Sequence, residues 1–330
     1  MKKKFIFCLN ILLFICLISC HKQENTTNLS IDFFDFPVEN NDSVKVTINP
    51  DSIYIVGEIA SIPSGYMMYI YDKEDVFLIT DKTFHPLMHV VHKGEGPGEV
   101  IDGIGNFGKV LDNTDRVSVT DPYTNTFYAL DTKTGDLEKI LSFPENFSKY
   151  NPFNAIKLRN GSFVSARGDF KYGLVSYNPN TDEIKEWPLG IESIDIVHPK
   201  SNHVSMRVLD YNEKNGIIAE IYGELPYVIL HNETGDVVKI LSLTNTPREI
   251  KENYDFIGDL KLTDDYIIFL WGDTEFDNEN SILFMTYEGQ PVKQIKIRPA
   301  QTFEYDEKNN RLLTTNAEWE DFNFMVYDLD

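Results

Sequence analysis

Residues 92–100, HKGEGPGEV, bring three glycines, a proline and two glutamates into positions 94–99, directly after the apolar run LMHVV. Glycine-rich loops cradle phosphate when bare backbone N–H groups and a helix N-terminus point at the ligand. Gly94, Glu95, Gly96, Pro97, Gly98 and Glu99 do not fit that chemistry. No Lys-Ser/Thr pair follows the glycines, Pro97 removes a donor, and Glu95 and Glu99 would repel an anion. A tight turn fits better, with glycine supplying positive φ and Pro97 fixing one φ.

Metal chemistry is the next test. GDTEFDNEN (272–280) alternates acidic and amide oxygens but lacks the central Gly and terminal Glu spacing of a twelve-residue calcium loop, so it reads as a hairpin tip. His85, His89 and His92 crowd one segment. Strand alternation would set His89 and His92 on opposite faces, which disfavours a shared ion. Asp102, Asn154, Asp259 and Glu304 fall near predicted inner-strand starts, where oxygen ligands could hold calcium for a hydrolytic reaction. No G-x-S-x-G elbow occurs, which argues against a serine hydrolase.

The N-terminus indicates the compartment. Lys2, Lys3 and Lys4 precede FIFCLNILLFICLI, shorter than the roughly 20 residues of a spanning helix and suited to a signal-peptide core. That core ends in LISC, which resembles the bacterial lipobox and implies diacylglyceryl transfer to Cys20. The expected organisation is a signal peptide over 1–19, a lipidated polar tether over 20–30 and one domain over 31–330. Cys8 and Cys16 leave with the signal peptide, so the mature chain has no disulfide, no Cys-ligated zinc and no thiol nucleophile.

Such a domain must be held by its core alone. Roughly 310 mature residues exceed the usual size of a single core unless the architecture is a barrel, solenoid or repeat. A formal net charge of -22, made more acidic by loss of the leading lysines, argues against nucleic acid and anionic headgroups as partners.

Repetition is present. EDVFLITD (74–81) and TDRVSVTD (114–121) match at an offset of 40 residues, and NGSFVSAR, NGIIAEIY, DDYIIFLW and NNRLLTTN are fainter copies. In later units a third strand such as TFYALDTKTGD or PYVILHNETGD follows, then an alternating fourth such as LEKILSF or VVKILSL. Four antiparallel strands per unit of about 45 residues indicate propeller blades, and six units predict an all-β, six-bladed β-propeller. The first unit, from about residue 66 to 99, reads as short. The last ends at FMVYDLD without a fourth strand, so an N-terminal segment, IDFFDFPV (31–38) or VKVTI (44–48), is expected to close the ring.

With the lipobox, the six units and the G-x-G-P-G-E loop of Gly94–Glu99 together, the chain resembles the TolB-like six-bladed β-propeller lipoproteins of the bacterial envelope. The resemblance implies a fold and an envelope location, periplasmic or cell-surface, with no established reaction. The expected role is a non-enzymatic binding module for a partner protein or a glycan-like ligand, needing no cofactor and attached to the membrane through its lipid. The alternative is a calcium-dependent hydrolase or lactonase with its site in the central channel.

Overall fold

The computed structural model describes residues 27–49, 54–71, 73–96, 98–101, 104–111, 114–150, 154–166, 173–188, 207–223, 225–246, 257–272 and 279–329. The signal peptide, Cys20, Pro97, Asp102 and most of GDTEFDNEN lie outside the described residues.

Six antiparallel blades make up the fold. Three short strands come first in the chain: β1 (Thr27–Asp32), β2 (Val38–Glu39) and β3 (Ser43–Val46). Blade one is β4 (Val56–Ile62), β5 (Gly65–Ile70), β6 (Asp75–Thr80) and β7 (Pro86–His92). Blade two is β8 (Phe107–Leu111), β9 (Arg116–Asp121), β10 (Thr126–Asp131) and β11 (Leu137–Ser142). One helical turn, α1 (Glu145–Ser148), then leads to blade three: β12 (Ile156–Lys157), β13 (Phe163–Ala166), β14 (Gly173–Asn178) and β15 (Glu183–Pro188). Blade four is β16 (Arg207–Asn212), β17 (Ile217–Tyr222), β18 (Tyr227–Asn232) and β19 (Val237–Thr244). Blade five is β20 (Ile257–Leu262), β21 (Tyr266–Trp271), β22 (Asn280–Thr286) and β23 (Pro291–Ile297). Blade six has three strands of its own, β24 (Thr302–Asp306), β25 (Arg311–Thr315) and β26 (Phe324–Asp328).

The fourth strand of blade six is β3, antiparallel to β26 with Val46 opposite Phe324 and Ser43 opposite Tyr327. Of the two expected closing segments, VKVTI therefore supplies the closing strand. IDFFDFPV has a different place. β1 adds in parallel to the outer strand β19 of blade four, and β2 adds in parallel to β23 of blade five. The N-terminal segment thus straps three successive blades and covers edges that would otherwise be open to other chains. β1 begins at Thr27, inside the stretch expected to be tether.

Blade one is complete, contrary to its short reading. EDVFLITD is β6, a third strand, whereas its apparent counterpart TDRVSVTD is β9, a second strand. The repeat was out of phase by one strand there, which left β4 unassigned.

The core lies between blades because each sheet buries both faces of its middle strands. One apolar cluster joins blades one and two through Met67, Phe77, Phe107 and Val119. Phe127 meets Phe163 edge to face at 4.9 Å between blades two and three. Leu174, Trp187 and Ile218 join blades three and four; Phe269, Ile221 and Leu243 join four and five; Phe284, Phe303 and Leu312 join five and six. Tyr66, Met68, Leu313 and Phe324 seal six against one. Each fully buried side chain of this size contributes about 1.5–3 kcal/mol, so six such interfaces hold the ring without disulfides.

Candidate functional site

The first strands of the blades surround a central cavity of about 280 Å³. Glu58 comes from β4, Lys109 from β8, Asp210 from β16, Asp259 and Lys261 from β20, and Glu304 from β24, with Asn154 entering just before β12. Three of the acidic or amide residues expected near inner-strand starts, Asn154, Asp259 and Glu304, are brought together here. Glu58, Lys109, Asp210 and Lys261 were not anticipated.

Local backbone irregularity presents several of these groups. Strand pairing shifts register between Val56 and Ile59, between Phe107 and Val110, and between Ile257 and Asp259. A glycine sits at each shift, in the tetrapeptides VGEI, FGKV and IGDL. A bulge re-aims the next side chain, so Glu58, Lys109 and Asp259 turn toward the bore. Gly108 has φ +82°, and a Cβ there would overlap the Ala60 Cβ of blade one. Only glycine permits both that conformation and that approach.

The carboxylates of three successive blades bind the backbone of the next blade. Asp210 of blade four accepts Leu262 N–H of blade five at 2.6 Å. Asp259 of blade five accepts Phe303 N–H of blade six at 2.9 Å and its neighbour Leu260 N–H at 2.8 Å. Glu304 of blade six accepts Ser61 N–H of blade one at 3.2 Å. Lysines also engage two of them: Lys109 pairs with Asp210 across the ring, and Lys261 pairs with Glu304. Among the described residues Glu58 makes no hydrogen bond or ion pair.

Electrostatics follow from this crowding. Glu58 is open to solvent in the bore, yet the surrounding protein strips hydration from its carboxyl and pushes its pKa up to about 7, against the pull of Lys261. Burial likewise raises Asp259 to about 7; the Phe303 amide opposes this and the Glu58 charge reinforces it. Burial alone would lower Lys261, but Glu304, Asp210 and Asp259 outweigh it and hold the ammonium well above its usual range.

The Gly94–Glu99 loop folds back on itself. Gly94 N–H donates to Val100 O at 2.8 Å, and Gly96 N–H donates to the Glu99 side chain at 2.7 Å. A Cβ on Gly94 or Gly96 would run into that carboxylate. The Gly96 amide is therefore taken by the loop's own glutamate.

His89 and His92 do not lie on opposite faces. Val91 has φ +65°, Val90 and Val91 are both buried, and both histidines turn outward to Asp75, at 4.0 and 2.5 Å. His85 lies apart, against Asp81 and Thr83. Among the described residues no group of three or more His, Cys, Asp or Glu has metal-binding geometry. A separate buried network in blade four links Glu220 to Tyr222 and, at 2.9 Å, to His231.

Fold and bore together define a β-propeller with a narrow, mixed-charge central channel. No family model matches the chain, and no curated protein matches it. Among solved structures, a member of the DUF4221 family from Bacteroides vulgatus is similar at TM-score 0.61 and 9% identity, covering 89% of this chain and 97% of that one. A protein from Bacteroides fragilis assigned as exported is similar at 0.56 and 11%, covering 91% and 99%. A propeller assigned as a gluconolactonase is similar at 0.54 and 11%, covering 90% and 94%. At these identities the likeness is one of fold.

Proposed function

We propose that this protein is a lipid-anchored, TolB-like envelope propeller that binds a glycan-like ligand or a partner protein through its central channel, without turning it over. Its export and anchoring rest on the Lys2–Lys4 start, the apolar core and Cys20. The structural similarity to a protein assigned as exported agrees with that location.

The observation that carries the binding reading is the commitment of the channel carboxylates. Calcium takes six to eight oxygen ligands, usually including several free carboxylates. Here Asp210, Asp259 and Glu304 hold the amides of neighbouring blades, and two ammonium groups stand among them. Among the described residues this donor set is a poor match for calcium, which supports ligand binding over a metal-assisted reaction.

Thermal-shift screening of soluble glycan fragments and peptides, repeated on Ile104→Trp to narrow the cavity lined by Ile104, tests the reading. A hit lost in the variant and recovered chemically unchanged supports it. A hit consumed during incubation supports the hydrolase instead. For the anchor, Cys20→Ala should release the protein from membranes, since lasting attachment needs buried acyl chains contributing about 0.8 kcal/mol per CH₂.

A further inference from the structure

Glu58 differs from the other described acids of the channel. Asp210, Asp259 and Glu304 are held by backbone amides, and two of them also by lysines. Glu58 projects from a bulge, is solvent-accessible in the bore, and has no hydrogen-bonding or ion-pairing partner among the described residues. Among the described residues the cavity carries four carboxylates against two ammonium groups, a balance that favours a cation. Asn154 and Thr302, whose hydroxyl is also engaged by Gly57 O and Thr315, make the same wall polar. A volume of about 280 Å³ is at the lower end for small-molecule pockets, the scale of a single sugar rather than a chain of them.

Resting on the channel-binding reading above, we propose that the channel takes a small polyhydroxylated amine, of the amino-sugar or amino-alditol class, with Glu58 receiving its ammonium. An ammonium seated there would gain a charge-assisted hydrogen bond to a carboxylate that has no such bond to lose, while hydroxyls meet the polar wall. A bare divalent ion would need several free carboxylates at once and is disfavoured by Lys109 and Lys261.

The groups facing Glu58 set its pH response. Lys261 and Asp259 come from β20, Lys109 from β8, Asp210 from β16 and Glu304 from β24, and the Tyr71 ring lies beside Gly57. With Lys109 and Lys261 already engaged, the ionisation of Glu58 and Asp259, both raised by burial to about 7, decides whether the bore presents a free negative charge. Cation binding therefore strengthens as pH rises through 7.

Isothermal titration with glucamine, and with sorbitol as its uncharged counterpart, tests this in EDTA at pH 8 and pH 5.5. The expected results are binding of glucamine at pH 8, weakening by about tenfold or more at pH 5.5, and loss of that preference in Glu58→Gln. A melting curve confirms that the variant is folded. Glucamine binding that is indifferent to pH and to Glu58→Gln overturns the assignment. Sorbitol binding as well as glucamine, in a manner abolished by Ile104→Trp, overturns the amine while leaving the channel reading intact. Binding of either compound undiminished by Ile104→Trp overturns both.

Discussion

The Asp210 carboxylate in blade four accepts the Leu262 amide of blade five at 2.6 Å, while its other oxygen receives Lys109 from blade two. A residue aimed into the channel is thereby a clasp between blades. Replacing it should weaken the ring. Asp210→Ala leaves a buried amide and an ammonium unmatched and should cost about 3 kcal/mol, read as a lower denaturant midpoint with an unchanged m value.

Glu58 should behave in the opposite sense. Its carboxyl ionises near 7 in the folded protein but near 4.5 when unfolded, so the unfolded chain gives up its proton first as pH rises. Stability from this group is present below about pH 4.5 and is lost as pH climbs through 7. Glu58→Gln should thus melt higher than the parent at pH 8, with the difference vanishing near pH 4. A gap that is constant with pH would show that Glu58 is not a raised carboxyl.

Two glycines with the same φ, one in a loop and one at a bulge, separate conformation from packing. Gly98 and Gly108 share φ +82°, but a Cβ on Gly98 meets nothing within 4 Å, whereas one on Gly108 overlaps Ala60. Gly98→Ala should cost about 1 kcal/mol, and Gly108→Ala about 3 kcal/mol or more, because blades one and two must part to admit it. Equal losses in urea titrations would remove the claim that glycine is required there for blade contact.

The strap over blades four to six gives a further test. Deleting 21–26 should leave melting and solubility unchanged. Deleting 27–46 removes β1, β2 and β3, opens the edge of β26 and should produce aggregation on size exclusion or a melting point lower by about ten degrees. A truncated chain as soluble as the parent would contradict closure through β3.

Much of the fold was legible in local pattern, and the channel only partly. Strands such as VVKILSL and PYVILHN alternate or run apolar over six to eight residues, which a half-buried or buried strand requires. β4 was left unassigned because Gly57 and Glu58 interrupt VGEIASI where the bulge falls, so alternation fails at the residue that faces the bore. Val91 in the left-handed region misled the reading of His89 and His92 for the same reason. Asp259 and Glu304 could be placed by their position at strand starts, but what they bind belongs to another blade. Lys109 and Asp210 meet across the ring from opposite parts of the chain, and no local pattern encodes that. The recurrence of an apolar residue, glycine, a charged residue and an aliphatic one in VGEI, FGKV and IGDL was the available signal.

If the channel carboxylates hold the ring and receive a ligand, rather than coordinate a catalytic calcium, the fold gains nothing from calcium. Melting temperature in EDTA against excess calcium measures this most directly. Calcium at a hundredfold excess over its dissociation constant would add about 2.7 kcal/mol to stability. The account predicts superimposable melting curves; a drop of several degrees in EDTA, restored by calcium and abolished in Asp259→Asn, would contradict it.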